Sequence, residues 1–156
     1  MFNPTSPVVG PTTITGLTNP TYTLTEQSSP PDTNCRQFVV LTVGGTQTGV
    51  TTHSVSSPFT LSMFVPKTLK ILGNPNPVTG VIANVAMNVY KNIVRKGVTV
   101  LTGQPLQIAM MKTESSIPAG SELNDLPNVR AMVALHAGTF QVNANEIVNT
   151  MATAVL

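Results

Sequence analysis

The chain is 156 residues long, 41% hydrophobic, 9% charged and 4% aromatic, with a formal net charge of +2. A single domain of that length and apolar content buries about 70% of the surface its unfolded chain would expose, which excludes a disordered tail. No run nears the roughly 18 apolar residues of a membrane span, and the single Cys35 cannot close an internal disulfide, so stability has to come from packing or association.

Along the chain, residues 1–11, with Pro4, Pro7 and Pro11, read as an irregular, flexible arm, and "MFNPTSPVVGP" lacks the basic start and apolar core of a signal peptide, which predicts a cytosolic site of synthesis. From residue 12 to 118 β-formers dominate. "TTITGLTNPTYTLTE" places Ile14 and Leu17, then Tyr22 and Leu24, around Asn19-Pro20 and suits a hairpin. "SSPPDTN" breaks the chain, "CRQFVVLTVGG" (35–45) is a compact strand, and "TQTGVTTHSVSSP" is a polar connection with room for one short strand. "FTLSMFV" alternates Phe59, Leu61, Met63 and Val65 against Thr60, Ser62 and Phe64, predicting one apolar face before Pro66 interrupts the ladder. "LGNPNPVTG" is turn chemistry.

From Val81 the odd positions Val81, Ala83, Val85, Met87, Val89 and Ile93 are apolar, while Asn84, Asn88, Tyr90 and Asn92 occupy the even ones. This is one long antiparallel strand, buried on its odd side. Strict alternation puts Lys91 and Arg95 on that apolar side, which calls either for a bulge near Tyr90 or for both bases to lie beyond the edge of the core. A turn at "LTGQP" leads to the last strand, Leu106 to Pro118, which carries Lys112 and Glu114.

The pattern changes after Gly120. Asn124 or Asp125 as N-cap, Pro127 in the first turn, Val129, Met132, Val133 and Ala137 at helical spacing and Gly138 as a stop predict one helix; Ile147, Val148, Met151 and Val155 predict a second. The expected class is therefore α+β. It comprises an N-terminal β-hairpin, an antiparallel sheet of about five strands and two C-terminal helices in one domain, 1–156, with the arm at 1–11, hairpin and sheet at 12–118 and helices at 121–156. Two short helices cannot cover such a sheet, and its edges invite pairing. Joining two copies edge to edge, with helices laid over each other's sheets, solves both problems and predicts an obligate interlocked homodimer.

Signals for catalysis are missing. His53 and His136 have no second His, Cys or carboxylate at metal-ligand spacing, and His136 reads as a helix-face or interface residue. "VGGTQTG" lacks the lysine and following helix of a phosphate loop. No enzyme activity, metal or cofactor is expected. Charge is the informative feature: residues 33–113 carry Arg36, Lys67, Lys70, Lys91, Arg95, Lys96 and Lys112 with no acid, whereas 1–32 carry only Glu26 and Asp32, and 114–156 carry Glu114, Glu122, Asp125 and Glu146 against Arg130. A surface facing a polyanion accounts for that asymmetry better than solubility does. Tyr90, with Asn88 and Asn92, adds groups able to stack on an unpaired base and hydrogen-bond its edge.

The order of hairpin, central strands, "NVYKNIVRKGVTV", then "MMKTESSIPAGSELNDLPNVRAMVALHAG" and a final short helix resembles the coat proteins of single-stranded RNA bacteriophages, the leviviruses. The "ESSIPAG" strand end running into an Asn/Asp-capped helix is the most specific part, and the resemblance is strongest from about Ser57 to Leu156. It implies a capsid protein of the virion, assembled in the bacterial cytoplasm, whose dimers build an icosahedral shell. One sheet face is then covered by the partner's helices and the other touches single-stranded genomic RNA. In that family the dimer also binds an RNA hairpin and represses replicase translation. The residues this assigns to RNA are Thr60, Ser62, Asn88, Tyr90, Asn92 and Lys112 on the central strands, with Lys67, Lys91, Arg95 and Lys96 as phosphate contacts. "KGVTVLTGQPLQ" is the counterpart of the loop that joins subunits at the symmetry axes, without the paired cysteines of some members. The competing readings are a dimeric nucleic-acid-binding regulator that reads with its sheet, and a non-viral β-rich fibre or assembly subunit.

Overall fold

In the computed structural model, which describes residues 1–12 and 14–155, six strands form one antiparallel sheet in chain order. They are β1 (Val8–Val9), β2 (Leu17–Glu26), β3 (Cys35–Gln47), β4 (Phe59–Phe64), β5 (Met87–Val98) and β6 (Gln107–Pro118), followed by α1 (Ser121–Asn124), α2 (Leu126–Val142) and α3 (Ala144–Thr153). This is the expected α+β order, with β1 as an additional strand. Thr13 and Leu156, which fall in the expected hairpin and helical regions, lie outside the described residues.

Several boundaries differ from the sequence reading, each for a local reason. The arm is not irregular throughout: Val8 and Val9 pair with Tyr22 and Thr21, the Ser6 hydroxyl accepts the Leu24 N–H at 2.9 Å, and Phe2 meets Phe38 edge-on with centroids 6.0 Å apart. The expected hairpin across Asn19-Pro20 is instead one bulged strand. Asn19 takes φ 46°, the β2–β3 register shifts between Thr18 and Thr21, and Pro20 is fully buried. Gly45 opposite the bulge has φ 75°, and a Cβ there would collide with the Thr18 and Asn19 carbonyls. The hairpin partner of β2 is β3, with the "SSPPDTN" stretch in the connection between them.

The long strand begins at Met87 rather than Val81. Strand β4 ends at Phe64, so residues 81–86 have no strand to pair with, and the backbone of 76–81 is satisfied within its own loop: Asn76 Oδ1 accepts Val78 N–H at 2.8 Å, and the Asn76 N–H donates to Val81 O at 3.0 Å. No strand forms between Val50 and Pro58, where His53 Nδ1 accepts the Phe59 N–H at 3.0 Å. Helix α2 passes through Gly138, which keeps helical backbone, and ends at Val142. Asn143 is both its C-cap and the N-cap of α3. Asp125 is the N-cap of α2, with Pro127 in the first turn, but its carboxylate accepts the Asn128 amide at 2.9 and 2.8 Å instead of a backbone N–H.

Registers from β3 to β6 are regular, so residues directly opposite share a face and both faces can be read by parity. One face carries Phe38 and Val40 of β3, Phe59, Leu61 and Met63 of β4, Asn88, Tyr90, Asn92, Val94 and Lys96 of β5, and Met111, Thr113, Ser115 and Ile117 of β6. The other carries Cys35, Gln37 and Val39, then Thr60, Ser62 and Phe64, then Val89, Lys91, Ile93 and Arg95, and Met110, Lys112 and Glu114. Among the described residues the buried apolar set is small: Cys35, Phe38, Val40, Ile93, Ile117, Ala119 and Ala144. Helix α2 buries no residue, and Met132, Val133, Leu135, Val142, Val148 and Met151 of α2 and α3 stay exposed.

Candidate nucleic-acid interface

Helix α2 leaves the end of β6 and stands over the first face. Val129, Met132, Val133, His136 and Ala137, at the i, i+3, i+4, i+7, i+8 spacing of an apolar stripe, line one wall of a cleft of about 560 Å³. Met63, Tyr90, Asn92, Thr113, Ser115 and Ile117 line the sheet side, and Phe2 of the docked N-terminus also borders it. His136 packs against Phe140 with centroids 4.9 Å apart. This is the helix face. The opposite one is the open face.

The sequence-derived RNA residues are divided between the two. Asn88, Tyr90, Asn92 and Lys96 lie on the helix face, and Thr60, Ser62, Lys91, Arg95 and Lys112 on the open face. Lys67 lies on neither: it follows β4 and pairs with Asp32 at 3.1 Å. Strand β5 contains no bulge, so Lys91 and Arg95 share the side of Val89 and Ile93 as strict alternation requires. The sequence reading assumed that this side would lie under the helices, and it is the even side that does.

Two helix-face residues have defined local partners. Asn88, 2% exposed, accepts the Lys70 N–H at 2.8 Å and donates to the Lys70 carbonyl at 2.9 Å, so it fastens the β4–β5 connection to the sheet. Lys96 donates to Thr51 O at 2.9 Å and Oγ1 at 2.7 Å and sits 5.0 Å from the centre of the Phe59 ring. Partial burial pulls its ammonium below the usual lysine range. It holds the β3–β4 connection against β5. Tyr90 borders the cleft.

The open face carries a separate cluster of charge. Glu114, opposite Lys91 in register, accepts from Lys91 at 3.0 Å and from Lys112, two residues away on its own strand, at 3.2 Å. Those hydrogen bonds, Lys91 first, hold its carboxyl below the usual glutamate range. Arg95 lies opposite Thr60, and both the Arg95 Nε and the Thr60 Oγ1 are buried without a hydrogen-bond partner among the described residues. Ser62, 0% exposed, donates to Gln37 Oε1 at 2.8 Å, and Gln37 in turn donates to Gln27 at 2.5 Å. In register, Ser62 sits between the longer Gln37 and Ile93, so it serves the sheet rather than a surface. The formal charge of this cluster is three bases against one acid. Glu114 was absent from the sequence-derived set, although Lys112-Thr-Glu114 on a strand places both charges on one side.

Elsewhere, Arg36 is engaged by Glu26, bonding at 2.7 and 2.6 Å, and also donates to the Phe2 carbonyl. Among the described residues no group of three or more His, Cys, Asp or Glu side chains comes together, and no helix is long and apolar enough to cross a membrane.

No protein-family model matches the chain, and no curated protein sequence does. Among solved structures, the virus-like particle of bacteriophage ESE020 matches over 100% of both chains with a TM-score of 0.94 and 42% sequence identity. The virus-like particle of Beihai levi-like virus 32 matches over 86% of this chain and 88% of that one, with a TM-score of 0.52 and 18% identity, a likeness of fold alone.

Proposed function

The chain belongs to the coat proteins of the single-stranded RNA, levi-like bacteriophages, a structural component of the capsid and virion, and from that premise we propose that it dimerises through β6 and its helices and packages RNA against the open face. The observation that carries the RNA reading is the grouping of Lys91, Arg95 and Lys112 on the sheet face opposite α2. Among the described residues the one acid in contact with them, Glu114, leaves a net positive surface. Each phosphate contact is weak and salt-dependent, but a shell repeats the patch many times and converts weak contacts to avidity. Assembly in the bacterial cytoplasm fits this role.

The dimer reading rests on two unpartnered surfaces. Strand β6 is an edge of twelve residues with Ile108, Met110 and Met111 exposed, and a bare edge of that length pairs with another strand. Pairing with a second β6 about a twofold axis joins the sheets, and the helices of each copy then enter the cleft region over the helix face of the other. Tyr90 and Asn92 belong to that interface in this arrangement, Thr60 and Ser62 are buried within the sheet, and the RNA-contacting set contracts to Lys91, Arg95 and Lys112. Recognition of a replicase-start hairpin would use the same face, with Lys91, Arg95 and Lys112 positioning the backbone.

The test is size-exclusion of recombinant, nuclease-treated protein with ultraviolet detection. With no Trp and two Tyr the protein absorbs weakly, so nucleic acid dominates the signal wherever it is present. A void-volume peak rich in nucleic-acid absorbance is expected. A dimer-sized peak free of nucleic acid would contradict the packaging role.

A further inference from the structure

The connection from Val65 to Ala86 contains neither helix nor strand. A structureless loop of that length in a compact domain is usually functional or disordered, and this one is built rather than loose. Its near half is fastened at both backbone groups of Lys70 by the buried Asn88 and at Leu72, which packs on Gly120 so closely that a Cβ there would lie 3.0 Å from Leu72 Cδ2. Its start is tied to Asn34, whose carbonyl accepts the Val65 N–H at 3.0 Å, and its end to Ala119, which donates to Ala86 O at 2.8 Å. The tip is a closed turn organised by Asn76, with the Gly80 N–H donating to the Asn76 carbonyl at 2.7 Å.

Beyond the exposed Lys67 and Lys70 of its near half, what this scaffold presents is apolar. Ile71 is 81% exposed and Val78 91%, and Leu69, Val81 and Val85 are exposed as well. Residues 71–86 include no Asp, Glu, Lys or Arg. An uncharged, apolar, preorganised tip carries no base of its own for phosphate and gains nothing from water; its chemistry fits another protein surface. The antiparallel order puts the loop at the end of the strands where β4 stops and β5 starts, while the β5–β6 connection, Thr99–Leu106, lies at the opposite end. Neither position is on the β6 edge. On a dimer joined along β6, both loops therefore project from the perimeter, where a shell has to place its contacts between dimers. The β5–β6 connection is also uncharged, with Val100 and Leu101 exposed.

We propose that the β4–β5 loop is a shell-building contact: its Ile71, Val78 and Val81 dock on a copy of this chain in a neighbouring dimer, adding a second perimeter contact to the one expected at the β5–β6 loop. This rests on the dimeric capsid reading above. The test compares the full-length chain with Val78→Lys, a change at a tip exposed enough to leave folding alone, and with the triple variant Ile71→Ser, Val78→Ser, Val81→Ser. Each is followed by size-exclusion and electron microscopy. Both variants are expected to elute as dimers with unchanged melting temperature while particle yield falls roughly tenfold or more. Particles of normal yield and diameter from either variant would overturn the loop's role, as would loss of the dimer itself in Val78→Lys. Absence of particles from the unaltered chain would bring down the capsid reading and this inference together, an outcome distinct from normal particles made by the variants.

Discussion

The two faces of the sheet are made of the same strands, residue by residue in alternation, yet they differ in kind. The helix face spends Asn88 on a backbone and Lys96 on a threonine, and turns Tyr90 and Asn92 into the cleft beside α2. The open face keeps three bases and one acid on a regular ladder, with Lys91 and Lys112 half-exposed. A polar residue on a strand is thus no guide to the binding surface until its hydrogen-bond partners are known. What marks the open face is exposed charge, with Lys91 and Lys112 half-exposed around the one acid Glu114.

The comparison can be broken most severely from the helix side. Deleting α3 from Asn143, or introducing Val133→Asp in the stripe of α2 that lines the cleft, is expected to abolish the soluble dimer. Burial of a valine contributes about 1.5–3 kcal/mol and a carboxylate in its place adds a desolvation cost. A well-behaved dimer of either variant on size-exclusion would refute the interlocked arrangement.

A smaller effect is expected at Asn88→Ala, which strips the partners from both Lys70 backbone groups. A loss of about 1–3 kcal/mol in chemical denaturation is expected, with RNA content per particle unchanged; a fall in RNA with stability intact would return Asn88 to the RNA-contacting set.

The smallest expected change sharpens the open face. Glu114→Gln removes the acid between Lys91 and Lys112, so RNA affinity should rise and the salt dependence steepen. The same contact predicts a pH effect. The folded-state pKa of Glu114 is depressed by the two lysines, so its contribution to stability is present above the ordinary carboxylate range and is lost as pH falls through the depressed value. Acid titration should show the wild type losing this increment at low pH while Glu114→Gln, which lacks it throughout, changes less. Identical acid profiles would mean that the contact is not maintained in solution.

Much of the architecture was legible in the sequence, because period-2 and period-3.6 patterns report local structure directly. The parity of Lys91 and Arg95 with Val89 and Ile93 was readable, as was the α2 stripe at Val129, Met132 and Val133, but the stop expected at Gly138 falls instead at Asn143. Which face the helices cover was not. Strand alternation distinguishes two sides but carries no information on where a chain leaving β6 will turn, and the helix-face polar residues mimicked a binding surface. The burial of Ser62 was equally hidden, since it depends on the neighbours brought beside it by register, Gln37 from β3 and Ile93 from β5. The same holds for Val81–Ala86, whose alternation is strand-like but which has no strand to pair with once β4 has ended.

The most direct test of the central claim sets one face against the other. Particles assembled from Lys91→Ala, Arg95→Ala, Lys112→Ala and from Tyr90→Ala, Asn92→Ala are compared for RNA content, and the corresponding dimers for the salt dependence of RNA binding. The account predicts that the open-face triple loses packaged RNA and that its salt slope falls by about 2, at roughly 0.7 per phosphate contact for single strands, while the helix-face double keeps wild-type values of both in whatever dimer it forms. Undiminished RNA in the triple, or loss confined to the double, would contradict it.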